Sequence, residues 1–258
     1  MTKSNFSENT ICTTLDGTEI FNSGRISAIF AGGIGAGKTM FCFSLALSIA
    51  AGKPFMKTYI PTKAFPTAYI SRMKSKDDFG RLYLPAAENM IGTKTIESAK
   101  DKFDLSFIEC ISDSAYSDTI YTNLLQNFDK FLLSQEPKVV FIEDFSLGLL
   151  FLRDFQKGRN LKKNPLYKLQ DLAEKYNICF VLVTTIGTKT TNRYTNNDNH
   201  YISMCDKYAA FADSVSLLYK IEDTYGTDYS SLKVLKNNRI LSGLTLTKTK
   251  EYRGWETM

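Results

Sequence analysis

The sequence predicts an α/β protein with a mostly parallel central sheet, helices on both faces and an antiparallel C-terminal edge. Two observations predict this fold. Apolar runs of strand length alternate with helical patterns through the first two thirds of the 258 residues, which is the rhythm of βαβ units. Three strand-like runs then follow at 212–221, 231–237 and 244–249 with no room for long helices between them. We expect these runs to extend one edge of the sheet as hairpins.

The first half of the chain supplies three strands and two helices. A strand is predicted over 26–31, and the helix that follows over 39–52 is apolar nearly all round, so we expect it to be buried against the sheet. A second strand over 67–73 precedes a helical pattern over 76–90, and a third strand is predicted over 105–111.

The second half continues the same alternation. An amphipathic helix is predicted around 119–134, with its apolar residues on one face. A strand is predicted over 138–144, and its residues 139–142 are continuously apolar, as buried parallel strands are. The Asn164-Pro165 pair marks a helix start, and a fifth strand is predicted over 178–185.

The composition fits one domain over 1–258 with a core of about 24–250. Hydrophobic residues at 43% and aromatic residues at 13% suffice for a large core. The net charge of +5 permits a polyanionic partner without requiring one. Five scattered cysteines without a CxxC pair, and a single histidine, disfavour a disulfide framework and a zinc site, which predicts a cytoplasmic protein. A polar start and the lack of long apolar runs predict no signal peptide and no membrane partner.

Residues 32–39 read G-x-x-x-x-G-K-T between a predicted strand and a predicted helix. Glycines in such a loop let successive backbone N–H groups point into one concavity, which a triphosphate fills at the positive end of the helix. Lys38 is expected to reach the β- and γ-phosphates, and the Thr39 hydroxyl is expected to bind Mg²⁺. The sequence therefore predicts an ATP and Mg²⁺ site formed by Gly32, Gly33, Ile34, Gly35, Ala36, Gly37, Lys38, Thr39 and Met40.

A magnesium–nucleotide site also needs an acidic residue at the end of a neighbouring strand. The segment VVFIED offers Glu143 and Asp144. The run of four apolar residues before the first carboxylate favours Glu143, whereas the residue type more usual in this role favours Asp144. We expect Asp144 to hold the Mg²⁺-bound water, with Glu143 as its helper or as the catalytic base, and the pattern leaves the choice open.

Residues 24–55 resemble the opening of the RecA-like ATPases, and are most similar to the small plasmid-encoded RepA replicative helicases and the motor domain of DnaB. The resemblance continues through KVVFIEDFS and NICFVLVTT, and through the run that begins FADSVSLLYKIEDTYG. It implies an ATPase that assembles into a ring, usually of six subunits, with ATP between neighbours and single-stranded DNA in the central channel. Other replication proteins are further partners of such motors.

The resemblance also implies roles for several basic and polar residues. Lys236 and Arg239 fall where these motors place cations that reach the neighbour's γ-phosphate, although an exposed basic turn explains them too. Thr184 and Thr185 fall near the γ-phosphate sensor of the family, or are buried strand threonines. Channel loops are expected at 153–164 and 187–207, where Tyr194 could stack a base and a solvated surface is the alternative. The basic residues of these loops are Arg153, Lys157, Arg159, Lys162, Lys163, Lys189 and Arg193.

One residue departs from the family pattern. RecA-like motors usually end their second strand with a glutamate that orients the attacking water, and this sequence has Met73 there. Either Glu143 or a displaced acid such as Asp77 replaces it, or hydrolysis is slow. We therefore expect a motor acting on single-stranded DNA, such as a small replicative helicase of a plasmid, phage or mobile element. The alternatives are an ATP-dependent regulatory or scaffold protein with weak turnover, and a small-molecule kinase.

Overall fold

The computed structural model describes residues 7–32, 37–71, 76–107, 128–143, 165–186, 212–222, 228–236, 239–248 and 255–257. Its strands are β1 (Thr10–Thr13), β2 (Glu19–Asn22), β3 (Arg25–Gly32), β4 (Ile60–Pro61), β5 (Thr67–Ser71), β6 (Phe103–Phe107), β7 (Val139–Ile142), β8 (Cys179–Ile186), β9 (Val215–Glu222), β10 (Asp228–Lys236), β11 (Arg239–Lys248) and β12 (Trp255–Thr257). Its helices are α1 (Lys38–Ala51), α2 (Lys76–Ile91), α3 (Thr93–Ala99), α4 (128–135) and α5 (Pro165–Tyr176), with one 3₁₀ turn at Lys100–Lys102.

Nine strands form the central sheet, in the order β12-β11-β10-β9-β3-β8-β7-β5-β6. The six strands from β9 to β6 in this order run parallel to one another. The strands from β9 to β12 are antiparallel neighbours, and they form the C-terminal edge. The predicted fold class is therefore confirmed, including the hairpin extension.

Helix α1 lies in the centre of one face of the sheet. All eleven residues from 40 to 50 are buried, because a helix that is apolar on every side must be covered on every side. Gly52 ends α1 in the left-handed conformation, with φ 66°, which a glycine adopts without steric cost. Helices α2 and α3 pack beside α1 in the same core. Helices α4 and α5 supply Phe128, Leu132, Leu169 and Ala173 to a second core, which lies on the opposite face.

A second, three-stranded sheet has the order β2-β1-β4, and the sequence did not predict it. Two of its strands have four residues and the third has two, so a period-2 pattern has little length in which to appear. The two residues before β9 connect this small sheet to the large one by hydrogen bonds. There Ser214 Oγ donates to the carbonyl oxygen of Ile20 at 2.6 Å, and Asn22 Nδ2 donates to Asp213 Oδ2 at 2.7 Å.

Most predicted elements are present with shifted ends. Strand β5 is described as far as Ser71, and residues 72 and 73 of the predicted strand lie outside the described residues. Strand β10 begins at Asp228, three residues before the predicted start. The helix predicted over 119–134 is described from residue 128 onward. In the part of the chain that the structure describes, no helix is both long and apolar enough to cross a membrane.

Candidate functional site

The glycine-rich segment connects the middle of the sheet to the N-terminus of α1. Gly32 is the last residue of β3, paired with Ile186 on one side and Tyr219 on the other. Gly37 precedes α1 with φ 79° and ψ 17°, a left-handed conformation that L side chains rarely adopt. Its carbonyl oxygen accepts the first helical hydrogen bond, from the N–H of Phe41 at 2.9 Å. Lys38 and Thr39 are then the first two residues of the helix.

Among the residues that the structure describes, Glu143 is a buried carboxylate that contacts this helix start. It follows β7 directly, is 3% exposed, and donates its backbone N–H to the carbonyl oxygen of Ile70 at 2.9 Å. The Thr39 hydroxyl donates to Glu143 Oε1. The Ser71 hydroxyl donates to Glu143 Oε2 at 2.8 Å. Both carboxylate oxygens therefore have hydroxyl donors, which a buried carboxylate requires.

Thr39, Ser71 and Glu143 form a polar cluster, which lies directly above a cluster of aromatic side chains. Phe43 of α1 contacts Tyr69 of β5 with ring centroids 5.8 Å apart, and Tyr69 stacks on Phe141 of β7 at 6.1 Å. On α1, Thr39 precedes Phe43 by four residues, about one helical turn, so both lie on one face of the helix. On the strands, Ser71 follows Tyr69 by two residues and Glu143 follows Phe141 by two, so each pair lies on one face of the sheet. The polar cluster is Thr39, Ser71 and Glu143.

The donor set of this cluster fits a magnesium ion better than a transition metal. Its side chains offer only hydroxyl and carboxylate oxygens, the ligands that Mg²⁺ prefers. Among the residues that the structure describes, no three His, Cys, Asp or Glu side chains are grouped so that they could hold a metal alone. Mg²⁺ needs no such group in a nucleotide site, because phosphates and waters supply most of its ligands.

Lys236 and Arg239 lie at the opposite end of the sheet from the glycine-rich segment. They pair with each other across a two-residue connection between β10 and β11. Gly32 is level with Tyr219, and Tyr219 is level with Ser231. Lys236 therefore lies five residues further back, about 17 Å along the strands. Strand β10, which carries Lys236, is also the second neighbour of β3 in the sheet, about 10 Å away.

The fold itself has counterparts among solved structures. No protein-family model matches the sequence. No curated protein matches it either. A KaiC-like protein from the hyperthermophilic archaeon Pyrococcus horikoshii OT3 superposes on the chain with a TM-score of 0.56 and 14% sequence identity, over 94% of this chain and 92% of that one. The chain therefore has a RecA-like fold.

In this RecA-like fold, part of the predicted site lies outside the described residues. This holds for Gly33, Ile34, Gly35 and Ala36 of the glycine-rich segment, for Asp144, and for Met73. It also holds for all the basic residues proposed to contact DNA, namely Arg153, Lys157, Arg159, Lys162, Lys163, Lys189 and Arg193, and for Tyr194. Glu143 and Ile186 precede these basic stretches, and both lie at the carboxyl ends of the parallel strands, as Gly32 does.

The sequence predicted two of the three residues in this polar cluster. Thr39 and Glu143 were both predicted, and the structure brings them into contact. Ser71 was not predicted to take part. The available signal was its place two residues after Tyr69 on a buried strand, which puts both side chains on one face.

Proposed function

We propose that the RecA-like domain binds Mg·ATP at residues 32–39 and hydrolyses it. The observation that carries this proposal is the buried Glu143 carboxylate, which accepts a hydrogen bond from the Thr39 hydroxyl. That hydroxyl is the one which the G-x-x-x-x-G-K-T motif assigns to Mg²⁺. A glycine-rich turn that only starts a buried helix would not need an acidic partner at this position.

Each residue of the site has a distinct part in this proposal. Lys38 binds the β- and γ-phosphates, and the N-terminus of α1 adds its positive dipole. Thr39 and Glu143 would hold Mg²⁺. When bound, Mg²⁺ neutralises charge on the phosphate oxygens. Gly37 adopts the left-handed conformation that leads the chain into α1.

The contact between Thr39 and Glu143 favours Glu143 over Asp144 as the magnesium-side carboxylate. This assignment reverses the expectation from residue type. Asp144 follows directly in the chain and is then the candidate for the second role, orienting or deprotonating the attacking water.

Calorimetry with ATP and Mg²⁺ tests the nucleotide site. The wild-type chain should bind ATP, and Lys38→Ala should weaken the binding by about 10- to 100-fold, because the lysine supplies a charge-assisted contact to phosphate. Lys175→Ala on α5 is a matched control, since Lys175 is exposed and pairs with Asp129 at 3.1 Å. Equal ATP affinity in the wild type and in Lys38→Ala would contradict the proposal.

We further propose that the ATPase acts on single-stranded DNA as a ring, in the manner of a small replicative helicase. The support is that β7 and β8, which precede the two basic stretches in the sequence, end at the same sheet edge as β3, where a channel loop could respond to bound ATP. ATPase rates with and without single-stranded DNA test this role. Light scattering with a non-hydrolysable ATP analogue tests the ring. No stimulation and no DNA retention at low salt would contradict the DNA part.

The alternative is an ATP-dependent regulatory or scaffold protein with weak turnover. One observation favours it: Met73 stands where the resemblance predicts the water-orienting glutamate, and a thioether cannot polarise water. ATP-dependent assembly with negligible hydrolysis would select this alternative over the motor.

A further inference from the structure

We propose that Ser71 is a positioning residue for the magnesium site, where it holds the Glu143 carboxylate in the orientation that receives Thr39. This inference rests on the proposed Mg·ATP function. Ser71 is the last residue of β5 and is 1% exposed, and its hydroxyl donates to Glu143 Oε2 at 2.8 Å. It touches neither phosphate nor metal in this proposal, and acts through Glu143.

The pairing of β5 with β7 fixes the relative positions of the two residues. Ile70 is level with Ile142 in the parallel ladder, and the Glu143 N–H donates to the Ile70 carbonyl oxygen at 2.9 Å. Ser71 and Glu143 are therefore level with each other at the carboxyl ends of β5 and β7. A serine side chain has one carbon between backbone and hydroxyl, so its donor moves little relative to the strand.

The aromatic contacts beneath the site make this placement rigid. Tyr69 packs between Phe43 and Phe141, so β5 is fixed against both α1 and β7 one step below Ser71. Stacked and edge-on aromatic pairs of this kind contribute packing beyond their buried area. The same three elements that meet in the apolar cluster thus carry Thr39, Ser71 and Glu143 above it.

The hydroxyl limits how the carboxylate can rotate. Thr39 binds one carboxylate oxygen and Ser71 binds the other. Without Ser71, a buried Oε2 loses this donor, and the carboxylate gains by turning towards another one. That rotation would carry Oε1 away from the Thr39 hydroxyl. Changes in residues that orient a metal-binding group typically cost about 10- to 100-fold in metal affinity.

The test is the Mg²⁺ dependence of ATP binding, measured by calorimetry on the full chain. Ser71→Ala should require about tenfold more Mg²⁺ for half-maximal ATP binding, while its affinity for ATP in excess EDTA stays as in the wild type. Ser71→Thr keeps the hydroxyl on a strand residue and should restore the wild-type Mg²⁺ dependence. Ser27→Ala is the matched control, because Ser27 is a buried strand serine that contacts Ser214 at 3.2 Å.

The outcomes separate this inference from the proposed function. If Ser71→Ala keeps the wild-type Mg²⁺ dependence while Lys38→Ala weakens ATP binding as expected, the role of Ser71 is wrong and the nucleotide site stands. A shift in Ser27→Ala as large as that in Ser71→Ala points to general loosening of the sheet, and also overturns the role. A wild-type chain that binds no ATP at any Mg²⁺ concentration overturns both.

Discussion

At the scale of single residues, Glu143 is the group on which the site depends. Its two oxygens accept hydrogen bonds from Thr39 and Ser71, and its own N–H is bound to Ile70. These two hydroxyl donors hold the carboxylate oxygens in defined directions, which suits Glu143 to a fixed magnesium-side role.

Exchanging each acid for its amide separates the two roles. We expect Glu143→Gln to raise the Mg²⁺ concentration needed for ATP binding by about 10- to 100-fold. The amide has an NH₂ group in place of one carboxylate oxygen, so it donates a hydrogen bond where the carboxylate accepted a hydrogen bond from a hydroxyl. Asp144→Asn should leave binding near the wild type and lower the hydrolysis rate instead, by about 100-fold or more. Calorimetry and steady-state ATPase assays measure the two effects. Glu174→Gln on the exposed face of α5 is the control, and the reverse pattern would contradict the assignment.

A second residue-scale prediction concerns the buried pair Tyr59 and Ser216. The Tyr59 hydroxyl donates to Ser216 Oγ at 2.6 Å, and both side chains are fully buried. Burial raises the pKa of Tyr59 above its ordinary value, so the hydroxyl stays neutral. Tyr59→Phe should lower the free energy of unfolding by about 1–3 kcal/mol, because Ser216 loses its donor.

Thermal and urea unfolding measure that loss. The double variant Tyr59→Phe with Ser216→Ala should lose less unfolding free energy than the two single variants lose together, since it leaves neither polar group without a partner. Strictly additive losses would contradict the pairing.

At the scale of elements, the parallel strands were the best predicted part of the fold. Strand β7 is apolar throughout and β8 is apolar and buried from Cys179 to Val183, so the run of residues already indicates a buried strand in each case. The small sheet escaped prediction because Ile11, Cys12, Ile20 and Phe21 lie in short runs whose burial comes from distant contacts. Ser71 escaped for the same reason, since its partner Glu143 is 72 residues away.

The end of α1 supports a prediction about backbone conformation. Gly52 has φ +66°, and a Cβ built there would lie 2.6 Å from the Ala64 nitrogen and 3.0 Å from the Ala64 Cα. Gly52→Ala should therefore lower the free energy of unfolding by about 1–3 kcal/mol, from the unfavourable φ and from displaced backbone. Thermal unfolding should show a decrease of about 2–4 °C for each kcal/mol.

Gly80 provides the matched control within α2. A Cβ at this position meets nothing within 4 Å, and alanine is favoured over glycine inside helices. Gly80→Ala should raise the free energy of unfolding by about 0.5–1 kcal/mol. Destabilisation by both substitutions to a similar extent would contradict the role given to Gly52.

At the scale of the whole molecule, the separation of Lys236 and Arg239 from the glycine-rich segment bears on how ATP is hydrolysed. Both residues lie about 17 Å back along the strands from the level of Gly32. If they act on the γ-phosphate, as the resemblance implies, they act on a nucleotide held by another chain.

A mixing experiment tests this arrangement. Lys38→Ala and Arg239→Ala should each be inactive alone, whereas equal mixing of the two should restore about a quarter of the wild-type ATPase rate, because about one interface in four then combines both intact residues. Arg25→Ala, an exposed arginine at the start of β3, is a control that should not need mixing. No recovery in the mixture would mean that Arg239 serves its own chain or has no catalytic part.

The carboxyl end of β3 and the turn that pairs Lys236 with Arg239 are separate parts of the sheet. If the cations of one copy reach the nucleotide of the next, as the ring proposal requires, each contact joins two different surfaces. Contacts of this head-to-tail kind either close on themselves after a fixed number of copies or propagate without end. A mutation that alters the closure angle would then convert discrete particles into filaments.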